Sequence, residues 1–137
     1  MTSVTLARSY FEKARKRLRA LVTLFEEEAY SDVVREAQEL VELALKGMLR
    51  FVGVEPPKQH DVGRLLLQHR ERLPAAVAAA ADRLAAISRR LRKEREFAFY
   101  GDEDFIPTDE YTRDEAASAL EDARFVVGLL DPFPKSG

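Results

Sequence analysis

The sequence predicts an all-α fold, an up-and-down bundle of four main helices with an extra short helix between the second and third. Three observations carry this reading. Apolar residues recur in steps of three and four along four long segments, the period of a helix with one buried stripe. No window alternates as a half-buried strand would. Pro56-Pro57, Pro74, Pro107 and Pro132 fall between or after those segments and not inside them.

The first helix is expected over 3–28. Its stripe is Ala7, Tyr10, Phe11, Ala14, Leu18, Leu21, Val22 and Phe25. Tyr30-Ser31-Asp32 interrupts the pattern, and the side-chain oxygen of Ser31 or Asp32 can cap the free N–H groups of the next helix. The second helix, 32–51, turns Val34, Ala37, Val41, Ala44, Leu45, Met48 and Leu49 inward, with Glu42 and Lys46 in the favourable i,i+4 order. Gly53 and Pro56-Pro57 stop it, and the short link to the first helix makes the two antiparallel neighbours.

A short helix over 61–70 follows, with Asp61 as its N-cap and Val62, Leu65 and Leu66 inward. Pro74 suits the first turn of the third main helix, where a missing N–H costs no bond. That helix is expected over 75–96, with Val77, Ala81, Leu84, Ser88 and Leu91 facing one way. Its many alanines favour helix and let neighbours approach closely. The segment 99–111 is a loop, long for a bundle connection, and such loops often carry function. Thr112 and Glu115 form a capping box. The last helix places Ala116, Ala119, Leu120, Ala123, Val127 and Leu130 inward and ends before Pro132. The expectation is a single domain over 1–137 with a frayed tail at about 132–137.

The 137 residues fit one domain that buries roughly two thirds of its unfolded surface. Cysteine is absent, which excludes disulfides, thiolate metal ligands and cysteine nucleophiles and fits a reducing compartment. No apolar run approaches the ~20 residues of a membrane span, and no signal-peptide pattern opens the chain, so a cytoplasmic location is expected. The net charge of −2 gives no long-range attraction to nucleic acid. Charge is unevenly spread. Residues 1–20 carry Arg8, Lys13, Arg15, Lys16, Arg17 and Arg19 against Glu12, whereas residues 101–115 carry seven acids against Arg113. The plainest reading of both runs is a solvated face.

The histidines are His60 and His69, neither in a metal-ligand motif, so no metal and no cofactor is expected. No nucleophile elbow and no glycine-rich phosphate loop is present. The end of the third helix differs. Arg89, Arg90, Arg92, Lys93 and Arg95 lie within seven residues and cover much of the helix circumference, so some must point toward other segments or a partner. Phe97, Phe99, Tyr100 and Phe105 follow. Arginines beside aromatics can hold a phosphate and stack a base. Equally, a helix C-terminus favours cations and the rings can plug the bundle end.

Read together, these residues resemble the HEPN family (higher eukaryotes and prokaryotes nucleotide-binding), in its minimal prokaryotic form. The segment Tyr30-Ser31-Asp32-Val33-Val34-Arg35-Glu36-Ala37-Gln38 is similar to the start of the family's second helix, which Glu39, Glu42, Leu45, Lys46 and Leu49 continue. His60-Asp61 matches the entry of the short helix. Arg95-x4-Tyr100-Gly101-Asp102, then Tyr111-Thr112, Ala116, Ala119 and Ala123 match the third helix, the loop and the last helix.

The resemblance implies a helical bundle that forms homodimers and works with a small nucleotidyltransferase in a toxin–antitoxin-like pair. Ribonuclease members carry R-x4-6-H. Here Arg95 matches the arginine, but the three positions open to the histidine hold Tyr100, Gly101 and Asp102. Metal-free RNA cleavage needs groups that exchange protons near neutrality. Tyrosine titrates near ~10 and aspartate near ~4, and losing one acid–base group costs ~10²–10⁴ in rate.

The expected function is therefore a noncatalytic nucleotide- or RNA-binding or protein-interaction module. Its ligand-binding candidates are Arg92, Arg95, Tyr100, Asp102 and His60. One alternative is an atypical metal-independent ribonuclease, with Arg95 at the scissile phosphate and Tyr100 or Asp102 in proton transfer. A second is a purely structural dimeric partner whose acidic loop 101–115 meets a basic surface. The apolar and aromatic load of the first helix, with Tyr10, Phe11, Leu24 and Phe25, also points to a homodimer.

Overall fold

The computed structural model describes residues 3–56, 58, 61–99 and 111–133, without the side chains of residues 3 and 94–99. Six α-helices and one short 3₁₀ turn make up the described secondary structure: α1 (Ser3–Glu26), α2 (Tyr30–Phe51), α3 (Val62–Gln68), the 3₁₀ turn (Arg70–Arg72), α4 (Ala75–Ala79), α5 (Ala81–Phe99) and α6 (Arg113–Gly128). No strand occurs among the described residues. The all-α bundle expected from the periodicity is the observed fold. Helix α2 lies at its centre and packs against α1, α5 and α6.

Helices α1 and α2 form an antiparallel pair joined by a tight reversal. Glu28 has a left-handed φ of 62°, and the Ala29 N–H donates back to the Leu24 carbonyl at 2.9 Å. This satisfies a carbonyl that the end of α1 would otherwise leave unpaired. Helix α2 then begins two residues earlier than expected. Ala29 is the N-cap and offers no side-chain bond, so neither Ser31 nor Asp32 caps the helix. Both stand in its first turn, where Asp32 faces Arg35 at 3.7 Å and complements the helix dipole. At the other end Gly53, with φ 85°, terminates α2 as expected, and the Val54 N–H reaches the Leu49 carbonyl at 2.9 Å. Lys46 and Glu42 pair at 3.6 Å.

The third main helix is interrupted. Pro74 is the N-cap of a five-residue α4 and not a first-turn residue of a long helix, and Ala80 separates α4 from α5. The Ala80 N–H turns back to the Val77 carbonyl at 3.0 Å. No glycine or proline marks the break, so the apolar pattern reads straight through it. Val77, Ala81, Leu84, Ser88 and Leu91 are all buried, as expected. Helix α5 extends three residues beyond the expected end.

Thr112 caps α6: its hydroxyl oxygen accepts from the Glu115 N–H at 3.2 Å. On α6 the buried position is Val126, with Val127 only partly covered. A larger correction concerns the C-terminal segment. Phe133 lies within the expected frayed tail, yet it is 1% exposed. Its ring packs against Phe11 at 5.0 Å and Phe51 at 5.1 Å, closing the end of the bundle where α1 starts and α2 finishes. Residues 134–137 lie outside the described residues.

Candidate functional site: the two cationic faces of α5

The arginines near the end of α5 divide by helix geometry. Ala85, Arg89 and Arg92 follow one another at i, i+4 and i+7, so they share a face. Arg90, one residue after Arg89, is turned about 100° away. The structure gives the two faces different neighbours.

Arg90 points to α6 and forms an ion pair with Asp122. It also borders a cleft of about 370 Å³ between α2, α5 and α6. Val34, Leu91, Tyr111 and Ala119 supply the apolar lining of this cleft, and Asp114 and Glu115 stand at the start of α6 beside it. Those carboxylates, with the cation already paired to Asp122, make this side unfavourable for an anion.

Arg89 and Arg92 face α3. That short helix runs antiparallel to α5, and three contacts from the segment 61–70 fix the register. Arg70 pairs with Asp82 at 2.7 Å. Gly63 lies against Ala85 so closely that an added Cβ would come within 2.8 Å of the Ala85 Cα. Asp61 then falls beside the arginines, with its carboxylate 3.8 Å from Arg89 Nε and 4.0 Å from an Arg92 guanidinium nitrogen.

Asp61 also caps α3 as expected: Oδ1 accepts from the Gly63 N–H at 3.1 Å. One carboxylate thus both starts a helix and faces two cations. Both ion pairs are longer than a hydrogen bond, so the guanidinium N–H groups keep donor capacity. The Arg89 side chain is 68% exposed and that of Arg92 39%. Two guanidiniums near one point, with donors to spare, have the charge and the hydrogen-bonding capacity that a phosphate needs.

Of the ligand-binding candidates, Arg92 stands in this cluster. Arg95 lies three positions further along α5, its side chain outside the described residues, as are Tyr100, Asp102 and His60. The described histidine, His69, follows the opposite end of α3 from Asp61. In the sequence, Arg89 belongs to the arginine–aromatic cluster but not to the ligand-binding candidates, and Asp61 reads as the cap of the short helix. The spacing of 89 and 92 was legible, but the approach of Asp61 depends on how α3 docks. No group of three or more His, Asp or Glu side chains able to hold a metal converges among the described residues. No helix there is long and apolar enough to cross a membrane.

Of the residues that load α1, Tyr10, Leu24 and Phe25 are partly covered within the chain. Phe11 is buried, Phe25 packs against Tyr30 at 5.8 Å and lies under the Arg113 guanidinium, and Arg50 lies over Tyr10 at 5.7 Å.

In the comparison with protein families, the model of the HEPN domain matches residues 7–131, nearly the whole chain. Neither a curated protein nor a solved structure matches it.

Proposed function

From the premise that this chain belongs to the HEPN family, a group of nucleotide- and RNA-related helical modules, we propose that it is a noncatalytic phosphate-binding and interaction module. Arg92, with Arg89 and Arg95 on the same helix, holds phosphate groups of a nucleotide or RNA. The observation that carries this reading is the convergence of Arg89 and Arg92 on one face of α5, with neither guanidinium hydrogen-bonded to Asp61. Tyr100 and Asp102 replace the residue type that would let such a site break the phosphodiester. On this reading the protein is a cytoplasmic homodimer. It works with a small nucleotidyltransferase in a toxin–antitoxin-like pair, as the family resemblance implies.

The test is a fluorescence-anisotropy titration of a labelled nucleotide and a short labelled RNA at low salt. Arg92→Ala and Arg95→Ala are each expected to weaken binding about tenfold, the loss of one charge-assisted contact. Equal binding by all three proteins removes this face of α5 as the site. Incubation with structured RNA under EDTA checks the chemistry: cleavage that disappears in Arg95→Ala would replace this reading with the atypical ribonuclease. Co-purification with a nucleotidyltransferase encoded beside the gene tests the partnership.

A further inference from the structure

We propose that Asp61 is a built-in competitor for the phosphate, a carboxylate that sets how tightly the Arg89/Arg92 face binds anions. The proposal rests on the phosphate-binding reading of that face and names a residue that tunes it.

Gly63 allows α3 to press against α5 at Ala85, closer than any other residue would permit. Because the helices are antiparallel, the two residues preceding Gly63 in sequence lie toward the C-terminal end of α5. Asp61 is held there by its cap bond to the Gly63 N–H. Its carboxylate cannot swing away without releasing the first turn of α3, and its side chain is only 25% exposed. It is therefore a fixed negative charge and not a mobile surface group.

Its distances to the arginines matter as much as its position. At 3.8 and 4.0 Å it lowers the local positive potential without occupying the guanidinium N–H donors. An arriving phosphate finds those donors available but must accept a like charge beside it. The geometry thus combines hydrogen-bonding capacity with a constant electrostatic opposition. A single phosphate is held weakly, and a ligand with several phosphates overcomes the opposition through its additional contacts.

The experiment compares the full chain with Asp61→Asn, using a short fluorescein-labelled single-stranded RNA in anisotropy titrations at several KCl concentrations. Asparagine is an equally good N-cap, so α3 keeps its start while the charge is removed. Asp61→Ser, also a good cap, serves as the second variant if the first fails to fold. Removal of the charge is expected to tighten RNA binding by about threefold to tenfold at low salt, with the gap narrowing as salt rises. The gain is expected to vanish when Arg89→Ala and Arg92→Ala are added. A gain that survives in that triple variant overturns the proposal. So does equal or weaker binding by both neutral variants; weaker binding would make Asp61 a support for the arginines and not a rival to their ligand. If Arg92→Ala weakens binding while both neutral variants match the parent, the inference falls and the phosphate-binding reading stands. If Arg92→Ala binds like the parent, the phosphate-binding reading itself falls.

Discussion

Glu28 shows how a single residue bears the cost of a tight reversal. The end of α1 requires a left-handed backbone at this position, and φ is 62°. For a residue with a Cβ that conformation costs roughly 1–2 kcal/mol, whereas glycine adopts it freely. Glutamate is tolerated because the reversal yields two backbone bonds, Glu28 N–H to the Phe25 carbonyl at 3.0 Å and Ala29 N–H to the Leu24 carbonyl at 2.9 Å. Its side chain is exposed and sits beside Glu26 and Glu27, so acids crowd the helix end where the dipole disfavours them. Glu28→Gly is therefore expected to stabilise the protein by about 0.5–1 kcal/mol, after subtracting glycine's entropy in the unfolded chain. Thermal unfolding followed by circular dichroism checks it: the midpoint should rise by about 2–4 °C. An unchanged or lower midpoint means that the carboxylate makes up for the strain in some other way. Gly53 performs the same task at the end of α2, where the sequence already supplies the fitting residue.

Helices make clear what could be read in advance and what could not. The stripes of α1 and α2 identify their buried faces directly, because each depends on contacts repeated every turn within one element. Phe133 depends on nothing local. It follows Pro132, has no periodic neighbours, and becomes a core residue only because α6 returns its C-terminal end to Phe11 on α1 and Phe51 on α2. The break at Ala80 was hidden for a different reason, since alanine favours helix strongly and nothing around it signals a turn. Asp61 was half legible: its cap follows from sequence, but its approach to Arg89 and Arg92 requires the docking of α3 through Gly63. Phe133 yields the corresponding prediction. Its ring is almost wholly covered, so Phe133→Ala should cost about 3–5 kcal/mol in urea unfolding, as truncation of a buried aromatic does. If the segment were a frayed end, the same substitution would change stability by less than about 0.5 kcal/mol.

Over the whole molecule, the charge pattern offers two basic surfaces to a polyanion, and salt dependence separates them. The net charge of −2 supplies no general attraction, so binding must be local. One surface is the α3 side of α5, with Arg89 and Arg92, three positions before Arg95 in the sequence. The other is the N-terminal half of α1, where Arg8 and Arg15 line a groove of about 400 Å³ beside Phe133. Part of the charge on α1 is already engaged: Lys16 pairs with Glu12 at 3.1 Å and Arg17 with Glu36 at 3.4 Å. On α5, Arg89 and Arg92 share Asp61 as a neighbour. If single-stranded RNA binds at α5, about three phosphates are contacted, and log K should fall with log salt with a slope of about −2. Arg92→Ala should flatten that slope by about 0.7, the contribution of one phosphate, and Arg15→Ala should leave it unchanged. Anisotropy titrations across a KCl series measure both. A slope flattened by Arg15→Ala and not by Arg92→Ala would move the binding surface to α1. The convergent arginines of α5 would then have only the structural role of holding α3 through Asp61.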